Sequence, residues 1–401
     1  MKTAVVLSGG GAKGAYELGV WKALRKLDID FDIVVGTSIG GLNGIMMSQG
    51  SYSKCLKTWY NMNYDYVSSM EIKGKYNTKA GRREILSKYT KGLFKGGYEM
   101  DGLSKIIDYA VDYDEFKKSN IDFGLATTHF PSFKGKYVTK KEITKSNYKD
   151  YLLATAACFP AFKPVKVGKD LYVDGGYYDN IPYKLALDMG ADNLIIVDLA
   201  AIGITKNMNN IKVPHVIIKP KIKLGSLLVF ESDYTQKYAK LGYNDTLKVY
   251  GEADGYKYTF KKGTLKRNYK RNQIRLSNLI DKYEKYISTK HSKKVFIDNY
   301  KNNYLDIIEC MMELFEIDPT KIYRGSVMNV TIKKAFLSNG YVKYDKIRKA
   351  IKFTRNNTSY ELISFIYNGI NKNKKSINKY INIYPKAFLC AIYLYAIINR
   401  R

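Results

Sequence analysis

Ile33-Val34-Val35-Gly36-Thr37-Ser38-Ile39-Gly40 is the stretch on which the reading of this chain turns. The β-branched run Ile33–Val35 has the composition of a buried strand, and the spacing of apolar residues over Ile39–Gln49 is that of a helix. Gly36-x-Ser38-x-Gly40 therefore occupies a strand-to-helix turn, where side chains at Gly36 and Gly40 would collide. That is the context of a nucleophile elbow, with Ser38 at its tip and Gly36, Thr37, Ile39 and Gly40 shaping it. The helix N-terminus would favour loss of the hydroxyl proton. A serine that only caps a helix is the plainer alternative.

Upstream, the strand Thr3–Ser8 runs into Ser8-Gly9-Gly10-Gly11-Ala12-Lys13-Gly14 and then a helix over Ala15–Leu27. Consecutive glycines bring backbone N–H groups close to a ligand, aimed into one concavity. A phosphate-gripping loop needs Gly-Lys-Ser/Thr, which Gly14-Ala15-Tyr16 does not supply. A dinucleotide fingerprint fits Gly9, Gly11 and Gly14 formally, but Asp28, Asp30 and Asp32 precede the second strand instead of closing it. The third reading is an oxyanion hole.

A serine nucleophile needs a base. The chain has three histidines, His129, His215 and His291, and a triad is formally available as Ser38, then Asp174 or Asp198, then His215. His215, however, opens a strand in Val213-Pro214-His215-Val216, where a structural role is the common one. Asp174-Gly175-Gly176, after the short strand Leu171–Asp174, offers a carboxylate base in place of imidazole; an ordinary Asp-Gly turn is its bland counterpart.

Taken in order, the Gly-Gly-Gly-x-Lys-Gly loop, the Gly-x-Ser-x-Gly turn, the Phe159–Pro164 segment and Asp174-Gly175-Gly176 resemble the patatin-like phospholipases. Asp179-Asn180-Ile181-Pro182 and Leu241–Asp245 look like that family too, and the resemblance spans roughly residues 1–250. It implies lipid ester hydrolysis by a Ser–Asp dyad without histidine, metal or cofactor. Ser38 would be the nucleophile and Asp174 its base. Gly9, Gly10, Gly11, Ala12, Lys13 and Gly14 would form the oxyanion hole, with Gly175 and Gly176 completing the Asp-Gly-Gly motif.

Strand signals at Ile121–Thr127, Leu194–Val197 and Val216–Ile218 alternate with helical ones at Gly102–Ala110, Tyr148–Ala157 and Pro182–Met189. Such alternation predicts an α/β fold, a three-layer sandwich of a mostly parallel sheet between helices. Beyond Ser232–Tyr250 the pattern turns helical, over Asn268–Lys285, Val295–Phe315, Lys346–Arg355 and Tyr360–Gly369, with a hairpin remnant at Asp254–Lys261. The expected domains are 1–255 and a basic helical 256–401.

The 401 residues are 45% hydrophobic and 26% charged, ordinary for a globular chain and against wholesale disorder. Residues 1–200 hold 28 Lys and Arg against 22 Asp and Glu; residues 201–401 hold 39 against 15. That asymmetry suits an anionic partner. An anionic membrane surface is expected, helped by Tyr256–Lys262 and by Tyr384–Ile398, the latter either interfacial or, more simply, a buried helix. No nucleic-acid motif accompanies the charge, so a basic nucleic-acid scaffold is only a rival. Cys55, Cys158, Cys310 and Cys390 have neither zinc nor disulfide spacing, and no signal peptide or spanning segment is apparent; a cytoplasmic, peripherally membrane-associated protein is expected. The sequence leaves the oligomeric state open.

Overall fold

The computed structural model describes residues 1–61, 78, 80–81, 83–84, 87, 96–227, 230, 232–297, 304–338 and 358–399. The chain divides into two compact units, Met1–Tyr250 and Gly251–Arg401. Residues 251–255, grouped with the first domain from sequence, enter the second unit, where Ala253–Asp254 pairs with Thr259–Lys261.

The first unit is an α/β/α sandwich. Among the described residues its strands are β1 (Thr3–Leu7), β2 (Ile33–Thr37), β3 (Asp122–Phe130), β4 (Gly135–Thr139), β5 (Val165–Val167), β6 (Asp170–Asp174), β7 (Asn193–Val197) and β8 (His215–Ile218). They run in the order β5-β6-β3-β2-β1-β7-β8, with β4 also paired to β3. The pairs among β3, β2, β1, β7 and β8 are parallel; β4, β5 and β6 add an antiparallel corner. Successive strand residues face opposite layers, as a period of two requires. Val5, Leu7, Val34, Ile195 and Val197 join one core with helices α1 (Ala15–Lys26) and α2 (Ile39–Ser48). Ala4, Val6, Ile33, Val35, Leu194 and Ile196 join another with the helix Tyr183–Asp188.

Register within β3 sets the site. β2 and β4 both pair with Gly124–Ala126, so they flank opposite edges of β3. β4 and β6 both pair with Thr127 and Thr128, so β6 lies on the edge that β2 uses. Thr37 stands opposite Ala126 and Asp174 opposite Thr127, and the ends of β2 and β6 therefore abut.

The Leu241–Asp245 segment seals the sandwich. It lies on the helix Ser232–Val249, which packs along α1 through paired glycines: a Cβ at Gly19 would land on the Ala239 carbonyl oxygen, and one at Gly242 on that of Tyr16. The buried Tyr16 hydroxyl donates to Asp245 Oδ2 at 2.8 Å.

The second unit is helical around Phe260, Met311, Phe336 and Phe388. One of its sequence readings is corrected and one alternative is decided. Tyr258 and Phe260, read as interfacial aromatics, are core residues, since Glu309 accepts the backbone N–H groups of Tyr256, Lys257 and Tyr258 and folds that segment inward. The apolar helix Pro385–Ile398 is buried on nearly every side, so the interfacial alternative fails. Within the helical reading Val295–Phe315 the described helices are Lys290–Ile297 and Tyr304–Leu314, with 298–303 outside the described residues, as is Lys346–Arg355. Among the described residues no helix is long and apolar enough to cross a membrane.

Gly242→Ala should force α1 and its partner helix apart and cost about 1–3 kcal/mol by overpacking. A lowered urea midpoint for the first unit is the expected readout.

Candidate active site

Ser38 sits at the tip of the β2–α2 turn with φ 55° and ψ −126°, a left-handed backbone that a non-glycine residue holds only at a cost of about 1–3 kcal/mol. The flanking glycines explain how the turn closes. A Cβ at Gly36 would strike the Gly40 carbonyl, and one at Gly40 would come within 2.6 Å of the Leu7 carbonyl oxygen. The strained backbone is tied down by Thr155, whose Oγ1 accepts the Ser38 N–H at 2.9 Å and donates to the Ala126 carbonyl at 2.6 Å. On the other side, Thr37 Oγ1 donates to the Asp179 carbonyl at 2.7 Å.

The abutting strand ends bring two side chains together. Ser38 Oγ donates to Asp174 Oδ2 at 2.7 Å, across 136 positions of sequence. The other carboxylate oxygen, Oδ1, accepts the Gly176 N–H at 2.7 Å, which fixes the plane of the group. Gly175 lets this backbone lie against β3, since a Cβ there would meet the Ala126 carbonyl. Asp174 is 7% exposed. Burial pushes its pKa up to about 6, and the hydrogen bonds from Ser38 and Gly176 only partly pull it back.

Above the pair lies a cavity of about 730 Å³ with mainly apolar walls, among them Leu42, Leu103, Phe162 and Phe230. Gly10 and Gly11 border it, and their N–H groups meet no acceptor among the described residues. Other N–H groups of the loop are engaged. Gly9 N–H donates to the Asn180 carbonyl, Ala12 N–H to that of Leu227, and Lys13 N–H to that of Gly10. Gly14 is a packing position, where a Cβ would press on Ile39 at 2.5 Å. The Lys13 ammonium reaches the Ala200 carbonyl at 3.1 Å, and burial lowers its pKa.

The histidines stand elsewhere. His215 opens β8, three strands from β2, at the N-terminal end of a parallel strand, whereas Ser38 follows the C-terminal end of its own. The His215 ring bonds the Val213 carbonyl at 3.0 Å, and no Ser–Asp–His triad forms. His129 pairs with Ser132 and faces Asp170, while His291 lies in the second unit. Asp198 is held by Lys219 at 2.9 Å. Asp179 is bound by Tyr137 and Lys206, so the Asp-Asn-Ile-Pro motif acts as a brace, with its Asn180 carbonyl orienting the glycine loop.

Thr155 and Asn180 take part in the site without having been named among its residues, although Asn180 lies in the Asp-Asn-Ile-Pro motif. Asn180 could be found through its neighbours in sequence; Thr155, near the end of a helix, carries no such signal.

Residues 5–187 match the model of a family described as patatin-like phospholipase. Lysophospholipase NTE1 of Mycosarcoma maydis is 30% identical over 213 residues, covering 51% of this chain and 10% of that protein. Lysophospholipase NTE1 of Yarrowia lipolytica is 30% identical over 219 residues, covering 51% and 13%. The chain thus spans only a small part of the length of these curated relatives. Among solved structures, VipD from Legionella pneumophila aligns over 99% of this chain and 90% of its own, at 13% identity and a TM-score of 0.36.

Thr155→Val should strand the Ser38 N–H and the Ala126 carbonyl and destabilise the first unit by about 1–3 kcal/mol. Thr155→Ser should restore most of that, both read from urea unfolding.

Proposed function

With residues 5–187 forming a patatin-like phospholipase domain, we propose that the chain is a lipid acyl hydrolase, a phospholipase A or lysophospholipase working through a Ser38–Asp174 dyad. The observation that carries the reading is the 2.7 Å hydrogen bond from Ser38 Oγ to a buried carboxylate beneath an apolar cavity. Lipid esters suit such walls, which exclude water from an acyl chain and reward its burial.

In this mechanism Ser38 Oγ attacks the ester carbonyl carbon while its proton passes to Asp174. The carbonyl oxygen becomes an oxyanion held by the Gly10 and Gly11 N–H groups. The C–O bond to the leaving alcohol then breaks, and Asp174 returns the proton to that alcohol. Water, deprotonated by Asp174, attacks the acyl-enzyme and releases fatty acid and free Ser38. A carboxylate of ordinary acidity is a weak base for this task, and the burial that raises Asp174 makes it a better one. The Ser38 backbone strain keeps Oγ presented, so little rearrangement precedes attack.

The basic charge of the chain supports peripheral contact with anionic membrane, and free cysteines at four positions suit a reducing, cytoplasmic setting.

Ser38→Ala and Asp174→Asn should each lower fatty-acid release from phospholipid or lysophospholipid on the order of 10⁴-fold or more. His215→Ala should leave the rate near that of the parent, and equal losses in all three would sink the dyad. Because the raised Asp174 carboxyl is protonated below its pKa and cannot then accept the serine proton, kcat/KM should fall with decreasing pH below about 6 and level off above it. A flat profile between pH 5 and 7 would remove Asp174 as the base.

A further inference from the structure

Three large apolar side chains of the first unit stand in water around the mouth of the cavity. Ile202 is 92% exposed and Ile204 57%, and both border the cavity. Phe133 is 45% exposed and reaches the cavity through Tyr177, whose ring centroid lies 5.9 Å from its own. Scattered exposed apolar residues are normal on any protein, but a group continuous with an apolar cavity is a surface with a use.

Their backbones are anchored to the site. Ile204 N–H donates to the Gly176 carbonyl at 2.9 Å, and the Ile204 carbonyl accepts the Asn180 N–H at 2.6 Å. Phe133 N–H donates to the His129 carbonyl, and His129 N–H to that of Lys134, both at 2.8 Å, which closes the β3–β4 turn. Ile204 and Phe133 are thus presented from hydrogen-bonded turns, that of Ile204 tied to Gly176.

Exposed lysines flank them, and Asp170, on the Phe133 side, faces His129. Lys134 follows Phe133 and is exposed. On the Ile202 side, Lys13 lies against Ala200, and the Lys223 charge presses on it enough to lower its pKa further. The nearby acid Asp198 is already paired with Lys219. Cations beside apolar side chains at a cavity mouth match a bilayer surface, where anionic headgroups overlie acyl chains.

We propose that this collar of Ile202, Ile204 and Phe133, flanked by Lys13, Lys134 and Lys223, is the seat of the first unit on an anionic lipid bilayer. Apolar side chains enter the acyl boundary, lysines meet the headgroups, and the cavity opens directly into the lipid phase. The proposal rests on the lipid-hydrolase reading for its purpose but not for its test. It assigns membrane docking to the first unit, with 36 Lys and Arg against 25 Asp and Glu, where charge alone would assign it to the second, with 31 against 12.

The test is co-sedimentation of the full chain with phosphatidylcholine vesicles prepared with and without phosphatidylglycerol, in a Ser38→Ala background so that turnover does not consume the vesicles. The parent should bind better as phosphatidylglycerol is added. Ile202→Asp with Phe133→Asp should weaken binding roughly tenfold or more. Ile274→Asp, at a 79% exposed isoleucine of the second unit, should leave it unchanged. Circular dichroism and thermal melts matching the parent show that the variants fold. Equal binding by the collar variant, equal loss in the Ile274 control, or no preference for anionic vesicles would each overturn the proposal. A chain that docks through the collar yet releases no fatty acid when Ser38 is intact would refute the hydrolase reading alone.

Discussion

The site depends on two strands sharing one edge of a third. β3 is nine residues long, nearly twice the length of β2, and the surplus Thr127–Phe130 receives β6 where β2 has ended. Because β2 arrives parallel and β6 antiparallel, the C-terminal residues of both strands converge on the same point. Neither turn alone could place a hydroxyl and a carboxylate at 2.7 Å. The ladder hydrogen bonds do it, and they hold the separation with the stiffness of a sheet rather than of loops.

That convergence has opposing consequences for the carboxylate. Bringing Asp174 beneath the cavity strips it of water, which disfavours its charge, while Ser38 Oγ–H and Gly176 N–H donate to it and favour the charge. Burial is the larger effect, so the group ends less acidic than a free aspartic acid but still ionises near neutrality. The Ser38 backbone shows the same balance. Its left-handed conformation is unfavourable, and Thr155 together with the close approach of Gly36 and Gly40 over-determines it.

Much of this was legible in the sequence where physics is local. Ile33–Thr37 reads as a strand and Ile39–Ser48 as a helix because β-branched residues and helical spacing announce themselves, and Ser38 between two glycines announces the turn. The partner relation was not local. Nothing in Asp170–Asp174 states that it pairs with the far end of β3, and so Asp174 stood beside His215 as one of two possible bases until the family resemblance favoured it. β4 and β5 went unread because Gly135–Thr139 is half polar and Val165–Val167 is three residues long, too short to show a period. Which N–H groups of the glycine loop are engaged was not legible either, since Gly9 and Ala12 donate to the carbonyls of Asn180 and Leu227, far away in sequence, and only Lys13 donates within the loop.

The second unit shows why composition misleads about position. Tyr256–Lys262 alternates aromatic and basic residues like an interfacial segment, yet Glu309 gathers three of its N–H groups and turns Tyr258 and Phe260 into core. The apolar helix Pro385–Ile398 likewise found its lipid-like environment inside the protein, among its neighbouring helices. Net charge measures how strongly a chain is drawn toward an anionic surface, and that attraction acts over about a Debye length with little regard to orientation. Orientation comes from apolar side chains that the fold leaves uncovered. On this chain, large apolar groups left in water beside the cavity lie in the less basic unit, so the unit with the larger net charge is not the one whose geometry favours insertion.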